Sequence, residues 1–192
     1  MFRMDEEQLQ ALLKQNPNLS ISKHSVTAAD KKDSPQKATN PKDGQNKYHN
    51  YPVYVYEDGF IFDSSAERLS RKEISQRQKA LSNDHGHVKE RFDSKKEYLR
   101  NICLKQMERA GTISQLKRQY RLIIQPAFDY QNEHLQAVTY CADFIYEENG
   151  RTIVEDVKGY DSKTGMWLTT QVFNLKWKLL KAKYPDYEFR LY

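Results

Sequence analysis

The stretch "CADFIYEENGRTIVEDVKG", residues 141–159, decides the fold because it encodes two strands joined by a tight turn. Asn149–Gly150 is the kind of dipeptide most typical of a two-residue β-hairpin. A turn there fixes the register of the two strands and places Asp143 directly opposite Asp156. Since side chains alternate along a strand with period two, Lys158 follows on the same face as both acids.

The facing pair of acids needs a physical explanation. Two carboxylates with Cβ atoms about 4.5–5.5 Å apart repel one another unless a shared proton, a nearby ammonium such as that of Lys158, or a bound divalent metal stabilises them. Carboxylate oxygens suit Mg²⁺ or Mn²⁺ rather than zinc. With a lysine beside them, they form a set suited to metal-assisted hydrolysis of a phosphodiester. Glu155 points to the other face and is a poorer candidate, while a surface hairpin with a salt bridge is the simpler alternative.

The elements around this hairpin predict an α/β fold with a mixed central sheet and flanking helices. An apolar stripe marks a core-packed helix that ends at Gly111, and its members are Leu99, Ile102, Cys103, Met107 and Ala110. Strands are predicted at 117–128, 137–148 and 151–159, then a helix at 166–184 and a last strand at 187–192. The order α-β-β-β-α-β makes the third strand, helix and last strand a right-handed parallel crossover.

The N-terminal part of the chain reads differently. Residues 1–16 predict a short amphipathic helix, and polar residues 17–50 predict a flexible linker. A single domain is expected over 51–192, opening with a β-hairpin over 51–62. Residues 64–91 are expected to be an insertion, with an Asp-Ser N-cap at its start, a solvated helix, and a loop over "LSNDHGHVKE".

Composition narrows the class of protein. The chain has 192 residues, a net charge of +5 and 30% charged residues. No apolar run is long enough to span a membrane, and the N-terminus has no signal-peptide pattern. The two cysteines cannot build a disulfide framework, which predicts a reducing cytoplasm. The basic balance is compatible with a polyanionic partner.

Beyond these patterns, Asp143 and the "DVK" of Asp156 to Lys158 resemble the motif of the PD-(D/E)xK nuclease superfamily, with "AD" here in place of the first "PD". The segments "NKY", "RFDSKKEY", "ERAG", "ADF", "VEDVKG" and "LKWKLLKAKYP" also resemble small phage and prophage proteins assigned to that superfamily. The resemblance covers about residues 92–192, with weaker echoes at 7–20 and 46–60.

This resemblance implies a restriction-endonuclease-like core and a Mg²⁺- or Mn²⁺-dependent DNA endonuclease. Asp143 and Asp156 would hold the metal, and Lys158 would position the attacking water. An acid on the first core helix would assist, with Glu97 preferred and Glu67 the alternative. The implied setting is phage DNA replication, recombination or processing. Cleavage of branched DNA such as a Holliday junction is one option, and nucleases of this fold that cut such DNA usually act as homodimers.

Basic residues near the expected site predict contacts with DNA phosphates, although solvated helix faces would look the same. The candidates are Lys95, Lys96, Gln171, Lys176 and Lys178. Two rival readings remain open. One is a non-catalytic DNA-binding or adaptor protein on the same fold. The other is an interaction protein that recruits a partner through the leucines of its N-terminal helix.

Overall fold

The computed structural model of the protein describes residues 51–66 and 69–192. These residues form two compact units, with the division after Tyr98. The predicted N-terminal helix and linker, and the alternative helix acid Glu67, lie outside the described residues.

Within residues 51–66 and 69–98, the first unit contains a three-stranded antiparallel sheet, one complete helix and the first turn of another. Its elements are β1 (Val53–Tyr56), β2 (Ile61–Asp63), helix α1 (Arg71–His85) and β3 (Val88–Phe92). The strand order is β2-β1-β3, so the hairpin predicted over 51–62 is confirmed. Tyr54, Tyr56, Phe62 and Ile74 form its buried cluster. Alternation of valine and tyrosine in β1 therefore produces a strand buried along most of its length.

Two expectations for the 64–91 insertion are wrong. The predicted loop over "LSNDHGHVKE" instead completes α1 and forms most of β3, which pairs with β1. The Asp-Ser pair at its start does not cap a helix, since Asp63 Oδ1 accepts hydrogen bonds from the backbone and hydroxyl of Ser65. The helix begins after Ser70, which forms a capping box with Glu73. Pairing with β1 outweighed the polar composition of β3.

The second unit is built on a four-stranded mixed sheet. Its strands are β4 (Ser114–Gln125), β7 (Val138–Glu148), β8 (Arg151–Asp156) and β11 (Glu188–Leu191), in the order β11-β8-β7-β4. Strand β11 pairs with β8 in parallel, and β7 pairs antiparallel with both β8 and β4. The mixed sheet and the parallel pairing of the last strand are confirmed.

Two short hairpins and a helix lie between these strands. A hairpin of β5 (Phe128–Tyr130) and β6 (Glu133–Leu135) follows β4, and one of β9 (Tyr160–Asp161) and β10 (Met166–Trp167) follows β8. The predicted helix over 166–184 is therefore wrong at its start. Helix α3 (Gln171–Lys183) begins after Thr170, whose hydroxyl accepts from Phe173 N at 3.1 Å.

The central sheet buries a separate apolar cluster on each face. One cluster contains Leu122, Ala142, Ile145, Val154 and three residues of α3, namely Phe173, Trp177 and Leu180. The other contains Leu104, Ile113, Phe144, Tyr146 and Ile153. Neighbours Ile153 and Val154 belong to different clusters because successive side chains of a strand point to opposite faces. We call the first the α3 face and the second, which includes Leu104 of helix α2 (Lys95–Arg109), the α2 face.

Helix α2 (Lys95–Arg109) spans the division between the two units. Its predicted packing on a core is confirmed, but the stripe is displaced. Ala110 is exposed, whereas Glu97, Arg100, Asn101 and Leu104, at helical spacing, are each at least nine-tenths buried. A search for apolar periodicity misses this face because three of its four members are polar.

None of the helices in the described ranges combines the length and apolar character that a bilayer crossing requires.

Candidate active site

The hairpin of β7 and β8 forms with the predicted register. Asn149 and Gly150 both have positive φ, 52° and 75°, as a type I′ turn requires. Pairing runs from Glu148↔Arg151 to Phe144↔Glu155. Asp143 and Asp156 are the next residues on each strand, at the end where the ladder opens.

Asp143 reaches across this opening. Its Oδ2 accepts a hydrogen bond of 2.7 Å from the backbone N–H of Val157, the residue after Asp156. Its Oδ1 accepts a longer one of 3.4 Å from Gln119 Nε2 on β4. Asp143 is half-buried.

Asp156 is buried, with 2% of its surface exposed. Its Oδ1 accepts from the hydroxyl of Tyr140, and its Oδ2 accepts from Lys158 Nζ. Burial, followed by the charge of Asp156, raises the pKa of Tyr140, so this hydroxyl remains a donor. The Lys158 ammonium also lies 4.7 Å from the centre of the Phe173 ring. The expectation that Lys158 shares a face with Asp156 is confirmed.

Glu155 points to the α2 face, as expected. Arg100 donates to it through Nε at 2.6 Å and through a terminal nitrogen at 2.7 Å, and the Tyr146 hydroxyl donates at 2.9 Å. Burial alone would lower the pKa of Arg100, but the hydrogen bond and charge of Glu155 raise it overall. The result is a closed, fully satisfied ion pair.

Sequence reasoning missed Tyr140, Gln119 and Arg100 in these roles. Nothing in strand periodicity marks Tyr140 or Gln119. Arg100 had a usable signal, because an acid facing a buried sheet surface requires a cation opposite it.

Glu97 is buried and structurally engaged. Its Oε2 accepts from Asp93 N at 3.0 Å, and its own N–H donates to Ser94 Oγ at 3.2 Å. These contacts hold the beginning of α2, where Ser94 accepts from the first turn of the helix. Metal ligation by Glu97 stays a prediction.

The candidate DNA-contacting residues differ in accessibility. Gln171 and Lys178 are exposed at α3, whereas Lys176 is half-buried and donates to the Thr139 carbonyl at 2.9 Å. Lys95 forms an ion pair of 2.8 Å with buried Asp63, and Lys96 is half-buried. Phosphate contact through any of them stays a prediction.

The donor set fits a hard divalent cation. Within residues 51–66 and 69–192, no three His, Cys, Asp or Glu side chains converge to make a complete site. Mg²⁺, however, is commonly held by one or two carboxylates, with water and substrate phosphate oxygens as its other ligands. Asp143 and Asp156 meet that requirement.

Fold and site together define a mixed α/β protein with two aspartates and a lysine at one end of its central hairpin. Residues 86–191 match the model of the family described as "Protein of unknown function (DUF1064)". Since the match spans more than half of the chain, the protein belongs to that family. Comparisons with curated proteins and with solved structures found no significant match.

Proposed function

We propose that the protein is a Mg²⁺- or Mn²⁺-dependent DNA endonuclease with a restriction-endonuclease-like core. The observation that carries the proposal is the convergence of Asp143, Asp156 and Lys158 at the open end of the β7–β8 ladder. The salt bridge to Lys158 requires only one of the two acids, so that ion pair alone does not account for the second.

Each of these residues has a distinct task in the proposed reaction. The carboxylates of Asp143 and Asp156 hold the cation, which when bound polarises the phosphate and favours ionisation of a water. Tyr140 and Lys158 each donate to one oxygen of Asp156 and so restrict its rotation. Part of the Lys158 side chain, 25%, is exposed, so its ammonium can also turn toward a water or phosphate. Glu97 is the expected helix acid, on the strength of the resemblance.

DNA is the substrate that the charge favours. The chain carries +5, and residues 163–183 contain five lysines and no acid. Exposed Lys178 and Gln171 on α3 are the proposed phosphate contacts, with Lys176 beside them. A phage setting, branched DNA as substrate and a homodimeric state follow the resemblance to the nuclease superfamily and belong to the proposal. A cytoplasmic location, inferred from the two cysteines, belongs to it as well.

One observation favours a second candidate, a DNA-binding or adaptor protein without catalysis. Both oxygens of Asp156 already accept hydrogen bonds from side chains of the protein. A site satisfied in this way could persist without a metal. This candidate predicts DNA binding that is sensitive to salt but indifferent to EDTA.

Cleavage assays separate the two candidates. The full-length protein is incubated with linear, nicked and four-way-junction DNA in Mn²⁺, Mg²⁺ or EDTA. The nuclease proposal predicts cleavage of at least one substrate, loss in EDTA, and loss in Asp156→Asn at unchanged DNA affinity.

Two results would reject the nuclease. One is binding of all three DNAs without metal-dependent cleavage, and the other is full cleavage by Asp156→Asn. The first of these is the outcome that the non-catalytic candidate requires.

A further inference from the structure

The rung of the sheet that carries Asp143 is irregular on both of its strands. Leu116 packs against the α2-face cluster and Leu122 belongs to the α3-face cluster, although they are six residues apart on β4. A regular strand places residues an even number apart on one face. On β7, Ala142 and Phe144 likewise belong to opposite faces. The alternation is therefore interrupted on neighbouring strands at the same level.

That level is defined by Gln119 and Asp143. The pairs on either side are Arg118↔Phe144 and Tyr120↔Ala142, which leaves these two residues opposite each other. Gln119 has a φ of 48°, in the left-handed region that disfavours residues with a branched or bulky Cβ substituent and that glycine or asparagine adopts more readily. Backbone irregularity inside a strand commonly re-aims a side chain beside a functional site.

The side chain of Gln119 is directed at the acid. Its Nε2 donates to Asp143 Oδ1 at 3.4 Å, and its Oε1 accepts from the thiol of Cys141 at 3.3 Å. The carboxylate of Asp143 can only accept, so it faces the nitrogen end of the amide, and the thiol of Cys141 donates to the oxygen end. With Val157 N–H on Oδ2, each oxygen of Asp143 has a donor from the protein.

We propose that Gln119 is a positioning residue that orients the Asp143 carboxylate for metal binding, and that Cys141 fixes the orientation of the Gln119 amide. The inference rests on the proposed nuclease function, because it assigns to Asp143 a bound cation. Residues that orient a metal ligand commonly change metal affinity by about 10–100-fold when removed. Gln119 touches neither metal nor DNA in this role, so its effect is transmitted through the angle of the Asp143 carboxylate.

The chain offers a matched control on the same strand. Gln115 is also an exposed glutamine of β4 with positive φ, 54°, four residues before Gln119. Gln115→Gly and Gln119→Gly relieve the same kind of backbone strain and remove the same side chain. Of the two, Gln119→Gly alone removes the donor to Asp143.

The experiment measures Mn²⁺ binding by titration calorimetry and melting temperature by scanning calorimetry, on full-length protein. We expect Gln119→Gly to raise the Kd for Mn²⁺ by about 10–100-fold with no loss of melting temperature, and Gln115→Gly to leave the Kd within about twofold of the wild type. Cys141→Ser keeps a donor and should bind Mn²⁺ normally, whereas Cys141→Ala should bind it several-fold more weakly.

Other outcomes overturn the inference in distinguishable ways. Equal Mn²⁺ affinity in Gln119→Gly and Gln115→Gly rejects the positioning role and leaves the nuclease intact. Wild-type protein that binds no Mn²⁺ rejects the proposed function itself, and this inference with it. If Gln119→Gly has a lower melting temperature than the wild type, the same two measurements are made on Gln119→Asn. Asparagine tolerates the same φ but has a shorter side chain. A lower melting temperature in both Gln119→Gly and Gln119→Asn makes Gln119 a structural residue and rejects the inference.

Discussion

The two faces of the central sheet repeat one arrangement with different surroundings. On each face, β8 supplies a carboxylate, β7 supplies a tyrosine hydroxyl that donates to it, and a cation completes the group. On the α2 face the members are Glu155, Tyr146 and Arg100. On the α3 face they are Asp156, Tyr140 and Lys158.

The two groups differ in how completely the protein encloses them. The Arg100 and Glu155 side chains are 7% and 1% exposed, and a planar guanidinium engages both oxygens of the acid. Lys158 is 25% exposed, contacts one oxygen of Asp156, and has a second acid, Asp143, on the neighbouring strand. A closed pair stabilises the fold, whereas an open group with an excess of negative charge can take up a cation. The same residue classes therefore form a closed ion pair on one face and a more open group on the other.

The largest effects are expected from substitutions at two adjacent residues, one of which should reduce cleavage and the other stability. Asp156→Asn should reduce DNA cleavage by about a thousandfold or more, since a charge that acts on the reaction centre is removed, while stability changes by about 1 kcal/mol or less because Lys158 can reach solvent. Glu155→Gln should reduce the free energy of unfolding by about 3–5 kcal/mol, because it leaves Arg100 buried without a counter-charge.

Denaturant unfolding and cleavage rates, measured on both variants, test whether each substitution affects only one of the two properties. If Glu155→Gln unfolds at the same denaturant concentration as the wild type, the α2-face pair is not the structural group described above. If Asp156→Asn cleaves normally, the α3-face group is not catalytic.

Replacing both partners of the closed pair should recover much of the lost stability. Arg100→Met combined with Glu155→Leu removes both buried charges, so no uncompensated ion remains. We expect the double variant to be more stable than either single variant, by about 2 kcal/mol or more. A double-mutant cycle from urea unfolding measures this coupling, and additive single effects would contradict it.

A smaller effect is expected from the two tyrosines. Tyr140→Phe and Tyr146→Phe each remove one hydroxyl donor to a carboxylate, which should cost about 1–3 kcal/mol of stability in each case. Cleavage should fall, by about tenfold, only in Tyr140→Phe, because only Asp156 lies in the proposed site. Equal loss of cleavage in both variants would remove the distinction between the faces.

The smallest effect concerns alkaline pH. Burial, followed by the charge of Glu155, raises the pKa of Tyr146 above the value of about 10 expected for an unfolded chain. A raised pKa favours the protonated form in the folded state. Its contribution to stability is therefore complete below about pH 10 and is lost as pH rises further.

Unfolding free energy measured between about pH 9 and 11 should fall more steeply for the wild type than for Tyr146→Phe. Parallel curves would contradict a protonated, buried Tyr146. Tyrosinate absorbance of the folded protein supplies an independent reading of the same equilibrium.

Local patterns account for much that the sequence predicted correctly. The Asn149–Gly150 turn needs only two residues with positive φ, so it fixed the register that places Asp143 beside Asp156. The predicted element boundaries are wrong where a segment pairs with another strand of a sheet. Strand β3 is polar but pairs with β1, and residues 166–167 pair with β9 instead of extending α3.

The sequence by itself determined the register of the central hairpin, the facing acids and the place of Lys158, because turns and strand alternation act within a few residues. Only the tertiary structure decided that Arg100 closes on Glu155, that Tyr140 donates to Asp156, and that the backbone at Gln119 turns its amide toward Asp143. These contacts join residues 16 to 55 positions apart, and no local periodicity encodes which polar side chains meet when the sheet packs. That is why the partners of the two carboxylates of β8, adjacent in the sequence, could not be read from the sequence.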